Sequence, residues 1–292
     1  MKKYIINVLQ KLFKISSREA RVIDNLLHVQ LLKASAGKPQ IVDDTKPQSW
    51  EFSGFSQNGE DGIVEFLVRK LNNCNKYFVE IGSSNGLVNN TSYLAIVQRW
   101  TGLMVEGEKT DSDFCRNLLK EFCGGVECLN LFVKTDNISS VVKLMLYKNP
   151  DVLSLDIDGN DYYIAKELFN LGVRPKIFIV EYNSAFGPTN SVTIEYEKNF
   201  NLRKSHPSFL YYGVSISAWL SFFTKNNYEL VTVDSNGVNA VFIDKNEFDN
   251  NFYESLKGLK FKENFWQLMK FKMTWEKQFE KIKDCAFIKV GK

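Results

Sequence analysis

The sequence predicts an α/β protein built on a seven-stranded mixed sheet, mostly parallel, with helices on both faces. Five short apolar runs alternate with helical patterns between residues 58 and 183, and such alternation produces parallel strands covered on both sides. Two later runs, YELVTVDS and NAVFIDKN, are joined through Asn236-Gly237, a strong hairpin signal that closes the sheet with an antiparallel pair. Every one of the first five runs ends in acids or amides, so polar groups collect along the edge where open α/β sheets bind ligands.

The elements follow in order. Residues 1–35 read as one or two helices, and KPQIVDDTKPQSWEFSG is a polar connector punctuated by Pro39 and Pro47. NGEDGIVEFLVRKLNN is helical, with Ile63, Val64, Phe66, Leu67 and Leu71 on one side. YFVEIG (77–82) is a buried strand, and NTSYLAIVQRW a helix capped by Asn90 or Thr91. GLMVEG (102–107), a helix near 110–121, VECLNLFVK and the helix ISSVVKLMLYK continue the rhythm. VLSLDID (152–158), DYYIAKELFNLG and IFIVEYN (177–183) complete it. Residues 184–212 have no clear period, and VSISAWLSFFTKNN is a helix leading into the hairpin. The expected organisation is an N-terminal helical extension and linker (1–50), a central domain (51–246) and a helical, aromatic and basic C-terminal extension (247–292).

Composition narrows the function classes. The 292 residues are 44% hydrophobic and 14% aromatic, enough for a packed core and unlike a disordered chain. A formal net charge of +3 supplies no concentrated basic patch, so nucleic acid is not an expected partner. The five cysteines form no CxxC pair and read as thiols in a reducing compartment. Gln10, Lys11 and Lys14 interrupt the N-terminal apolar run, which argues against a signal peptide. No stretch reaches the ~18–20 apolar residues of a membrane span. The expected location is the cytoplasm. Ile5, Val8, Leu9, Leu12 and Ile15 share a helical face, suited to packing on the body or on a second copy, with docking at the inner face of the membrane as the alternative.

The strand ends carry the chemistry. EIGSSNG places Gly82 and Gly86 between strand and helix, where glycine permits tight turning and close approach of a ligand. The spacing is not the G-x-G-x-x-G dinucleotide pattern. Glu106 stands at the end of the second strand, where a carboxylate accepts hydrogen bonds from ribose hydroxyls. Glycine turn and Glu106 together favour a nucleoside-containing ligand.

SQNGEDGIVEFL (56–67), FVEIGSSNG (78–86), GLMVEG, LSLDIDGNDYYI and IVEYN (179–183), with YYGVSISAWLSFF and YELVTVDSNGVNAVFI, resemble FkbM-type methyltransferases dependent on S-adenosylmethionine. The resemblance spans about residues 50–245. It implies a Rossmann-like class I methyltransferase sheet and methyl transfer to oxygen, often on a sugar. Carried across, Gly82, Ser83, Asn85 and Gly86 would face the methionine part of the cofactor, with Glu80 and Asp156 at the adjoining strand ends. Glu106 would hold the ribose, and Asp136 and Asn137 would lie near adenine. Gln57, Asn58, Glu60 and Asp61 would cap the site from the preceding segment. The family often has glutamate or glutamine where Asp158 stands.

That extra aspartate suggests a divalent cation. Asp156 and Asp158 are two apart on a predicted strand, so their side chains are expected on one face. Glu181 or Asn183 on the next strand completes an oxygen-rich set, which suits Mg²⁺, Mn²⁺ or Ca²⁺ rather than zinc. Asp161 is the residue that would instead start a helix. Of the two histidines, His28 lies in an apolar helical pattern and reads as structural. His206 falls in the irregular insertion over the strand ends, where it is the candidate general base, with Asp158 as the second catalytic residue.

LDIDGND also resembles the nucleophile motif of haloacid-dehalogenase phosphatases and the DxD of glycosyltransferases. Its place on the fourth strand, after a glycine turn and an acidic second strand, weighs against both. The expected function is therefore O-methylation of a sugar hydroxyl in a bacterial surface polysaccharide or its precursor. A phosphoramidate-type capsule modification is the neighbouring possibility, and a non-catalytic interaction module the distant one. The insertion at 184–212 is expected to select the acceptor. Lysines alternating with Phe, Trp and Met in the tail suit helix packing or a dimer contact more than a membrane.

Overall fold

The computed structural model describes residues 42–291; the predicted N-terminal helices, with His28, lie outside the described residues. Seven strands form one sheet in the order β3-β2-β1-β4-β5-β8-β7. They are β1 Tyr77–Ile81, β2 Thr101–Glu106, β3 Val126–Asn130, β4 Val152–Leu155, β5 Ile177–Glu181, β7 Tyr228–Val233 and β8 Asn239–Asp244. The pairs among the first five are parallel, and β8 is antiparallel to both of its neighbours, β5 and β7. This is the expected Rossmann-like, seven-stranded mixed sheet, closed by the Asn236-Gly237 hairpin.

Side-chain alternation divides the core between two faces. Val79, Ile81, Leu153, Leu155, Phe178 and Val180 pack with the helices Ile138–Leu144, Asp161–Asn170 and Ile216–Lys225. Phe78, Met104, Ile177, Ile179 and Val241 face the opposite way, against the helices Glu60–Val68, Ser92–Ile96 and Lys109–Phe122. At the amino ends of the strands a buried ion pair joins Lys176 to Asp151 at 2.8 Å. Asp151 also accepts from the Lys76 N–H at 2.7 Å, tying the starts of β1 and β4 together.

Some local expectations change. The helix after β1 is shorter than predicted, Ser92–Ile96, and its first amides bond to Asn89 rather than to Asn90 or Thr91. Asn89 Oδ1 accepts from the N–H groups of Thr91 and Ser92 at 3.2 and 2.9 Å. The third predicted strand stops at Asn130, and residues 131–137 form an irregular connection that ends in a turn at 135–137. The C-terminal segment is not simply helical. Three short helices, Asn250–Glu254, Phe265–Phe271 and Trp275–Phe279, precede β9 (Phe287–Lys289), which pairs with β6 (Val192–Ile194) of the insertion. Insertion and tail share a third apolar cluster, with Phe186, Ile194, Leu210, Tyr212 and Ile282 buried together.

Candidate functional site

Two cavities open at the carboxyl ends of the parallel strands and share Gln57, Gly82, Val88 and Asp156. The larger, about 600 Å³, is lined by Ser84, Asn85, Glu106, Phe132, Asp158 and Phe200 among others. The smaller, about 220 Å³, is lined by Glu60, Glu80, Glu181, Asn239 and Trp266 among others.

The glycine turn is held by backbone geometry. Gly82 has φ +90°, and a Cβ there would overlap the carbonyl oxygen of Asp156. Only glycine allows the end of β1 to run this close to the end of β4. Gly86, at φ +74°, packs on the Cys115 side chain and shapes the turn without lining either cavity. Ser83 is buried beneath the turn, while Ser84 and Asn85 reach the cavity wall. Glu106 is held by two backbone donors, the Ser84 and Glu108 N–H groups, each at 2.7 Å. A carboxylate offers about four acceptor sites, so two bonds leave capacity toward the cavity.

Asp136 and Asn137 fall outside the cavity lining. Asp136 is exposed and paired with Lys198 at 2.6 Å. Asn137 accepts from Lys134 N and donates to Phe132 O at 2.7 and 3.0 Å. It thereby sets the turn that presents Leu131, Phe132 and Val133 to the cavity. In the capping segment, Gln57, Asn58 and Glu60 reach the cavities. Asp61 instead accepts from the Gly54, Phe55 and Ser56 N–H groups at 2.6–3.1 Å. Burial still pushes its pKa up to about 7.

Where the cavities meet, carboxylate oxygens of Asp156, Asp158 and Glu181 lie within 4.8 Å of one another. Strand alternation is not the cause of this convergence, because β4 ends at Leu155. The chain turns after Leu155, and Asp158 takes a left-handed backbone conformation, φ +59°, a strained choice for a non-glycine residue. Asp161 secures the turn by accepting from Ile157 N and Gly159 N at 2.9 and 2.8 Å. Burial, and then repulsion by Asp158 and Asp161, holds Asp156 well above the usual carboxylate range. Glu181 is raised by burial and by Asp156 and Asp158. Asp158 is raised by burial and by Glu106, and Arg203 of the insertion opposes that shift. Glu80 is pushed by burial up to about 7, against hydrogen bonds that include the Asn90 N–H on its Oε1 at 3.3 Å.

Asn183 does not join these acids. Its amide donates to Leu210 O and Tyr212 O at 2.7 and 3.0 Å, and its Oδ1 accepts from Ala185 N at 3.0 Å. Its polar groups are occupied in anchoring the insertion. His206 lines neither cavity, and its Nδ1 sits 2.7 Å from Ser208 Oγ. Sequence reasoning missed Phe132, Phe200, Asn239 and Trp266 as residues lining the cavities, and Arg203 as a charge acting on Asp158. Phe200 is the one insertion residue on the larger cavity wall; the smaller is walled on that side by Asn264 and Trp266 of the tail.

The chain matches no family model and no curated protein. Among solved structures it is similar to an O-methyltransferase from Bacillus cereus in complex with SAH, at 14% identity and TM-score 0.41, covering 83% of this chain and 100% of that one. It is also similar to M. capricolum TrmK in complex with S-adenosyl-homocysteine, at 13% identity and TM-score 0.37, covering 65% and 73%. The methyltransferase domain of bacterial CtHen1 aligns at 15% identity and TM-score 0.41, covering 63% and 95%. At such identities and scores the fold assignment rests on the strand order itself. Among the described residues no helix is long and apolar enough to cross a membrane.

Proposed function

We propose that this chain is an S-adenosylmethionine-dependent O-methyltransferase that uses a divalent cation and acts on a sugar hydroxyl, the expected setting being surface-polysaccharide biosynthesis. The observation that carries the reading is the meeting of the two cavities at Asp156. The larger cavity holds a glycine turn, an oriented Glu106 and Asp158, and the smaller brings Glu181 to the shared Asp156.

The residues present suit the cofactor. Glu106, fixed by two N–H donors, has lone pairs left for ribose hydroxyls, and Phe132, half exposed beside Leu131, offers a ring face to a purine. A volume of about 600 Å³ falls within the usual range for small-molecule sites. When bound, the cofactor supplies an electrophilic methyl group on a sulfonium.

The acids likewise suit a hard cation. Three carboxylates at this separation repel one another, and all-oxygen donors favour Mg²⁺ or Mn²⁺. When bound, such a cation lowers the pKa of a coordinated hydroxyl. The chain's own part is to hold Asp156 between the two cavities and to present Asp158 to the open cleft. Asp158 replaces His206 as the group positioned to take the acceptor's proton.

Thermal unfolding with S-adenosylhomocysteine, Mn²⁺ and both together tests the reading. Binding to the native state raises the melting temperature, so each ligand is expected to stabilise the protein, with Asp158→Ala losing the Mn²⁺ shift. A chain unmoved by S-adenosylhomocysteine at millimolar concentration is not this enzyme.

A further inference from the structure

The smaller cavity has an unusual lip. Trp266, on the helix Phe265–Phe271, is 54% exposed, whereas tryptophans are highly buried on average. It is nevertheless fixed in place. Its Nε1 donates to Asn58 Oδ1 at 3.2 Å, and the Phe265 ring meets it edge-on at 5.2 Å. Asn58 Nδ2 in turn donates to Glu60 Oε1 at 3.0 Å, and Asn239 Nδ2 bonds the same oxygen at 2.6 Å. With its N–H satisfied, the indole has only its apolar face left to offer.

Apart from Gly82, Val88 and Val238, the rest of the cavity lining is carboxylates and amides, among them Gln57, Glu181 and Asn264, and such groups suit a ligand rich in hydroxyls. Trp266 is the single aromatic wall of this cavity, and the lining opposite it is mostly polar. A saturated ring with one face of C–H bonds and a rim of hydroxyls matches it. Its C–H hydrogens meet the electron-rich indole face, and its hydroxyls meet the acids and amides.

We propose that Trp266 is the stacking platform of the acceptor subsite, and that the acceptor presents a polyhydroxylated pyranose ring to the acids and amides of this cavity. The assignment rests on the methyltransferase reading for the reaction, and it places acceptor selection in the C-terminal tail rather than in the 184–212 insertion.

The test is saturation-transfer NMR on the full chain with S-adenosylhomocysteine and the diamagnetic cation Mg²⁺. The probes are methyl glycosides of glucose, galactose, mannose and a 6-deoxyhexose, with 3,4-dihydroxybenzoate as the planar control. The wild type is expected to bind at least one pyranoside. Trp266→Ala should weaken that binding by about tenfold, and Trp266→Phe should keep it within about threefold. S-adenosylhomocysteine affinity, measured by calorimetry on the same samples, should be unchanged in both variants, which also shows that they are folded. Absence of pyranoside binding in a wild type that binds S-adenosylhomocysteine overturns the proposal and leaves the methyltransferase reading standing. Preference for dihydroxybenzoate, or unaltered pyranoside binding in Trp266→Ala, overturns it too. Trp266-dependent pyranoside binding without S-adenosylhomocysteine binding supports the subsite and removes the methyltransferase reading.

Discussion

Replacing Glu181 by glutamine should make the metal-free protein more stable near pH 8 while abolishing its response to Mn²⁺. Two unit charges at 4.8 Å, the outer limit of separation among the three acids, repel by ~3.5 kcal/mol at an effective dielectric constant of ~20. Glu181 faces two such partners. Asp158 stands at the edge of the cleft with part of its surface in solvent, which screens part of its share, and protonation of one acid relieves part of the rest. A net gain of about 2 kcal/mol is expected, or roughly 3 °C in melting temperature for a chain of this size. The pH dependence fixes the sign. Burial and then neighbouring acids raise Asp156 and Glu181 above their ordinary values, so the protonated forms favour the fold. That contribution is complete below about pH 4 and is lost as the pH rises through the raised values. Glu80, pushed up to about 7, adds to the same decline. Melting curves in EDTA should therefore diverge between wild type and Glu181→Gln as the pH rises from 4 to 8, with Mn²⁺ rescuing the wild type alone. Coincident curves at pH 8, or equal Mn²⁺ shifts in the two proteins, would refute the reasoning.

Three further outcomes are expected. Glu106→Gln places an amide donor against the Ser84 and Glu108 N–H groups and removes a ribose acceptor; calorimetry should find S-adenosylhomocysteine bound about 10- to 100-fold more weakly. Gly82→Ala forces a methyl into the Asp156 carbonyl at a positive φ, and denaturant melts should show a loss of at least ~3 kcal/mol or an insoluble chain. Lys176→Met leaves Asp151 charged and buried at the strand starts, for a loss of about 3–5 kcal/mol by chemical denaturation.

Local pattern made the sheet legible. The strands alternate with helices over short connections, and the turn chemistry at Asn236-Gly237 fixes the closing hairpin. Gly82 and Glu106 were legible for the same reason, since both sit where a parallel strand must hand its chain to a helix. Asp156, Asp158 and Glu181 were anticipated together, yet for a reason the structure replaces. A backbone turn locked by Asp161 brings the two aspartates together, where strand alternation was expected to do so. Long-range partners were not legible. The Asn183 amide is taken by carbonyls at Leu210 and Tyr212, and the ring of His206 turns to Ser208. Trp266 reaches the site only because the tail packs against the segment at Asn58, over 200 residues earlier. In the sequence its aromatic and basic neighbours read as a packing face.

The most direct test of the account is calorimetric titration of S-adenosylhomocysteine into the wild-type chain and into Glu106→Ala. The account predicts one site per chain in the wild type and binding weakened at least about tenfold in the variant. No heat of binding in the wild type, or equal affinity in the two proteins, would contradict it.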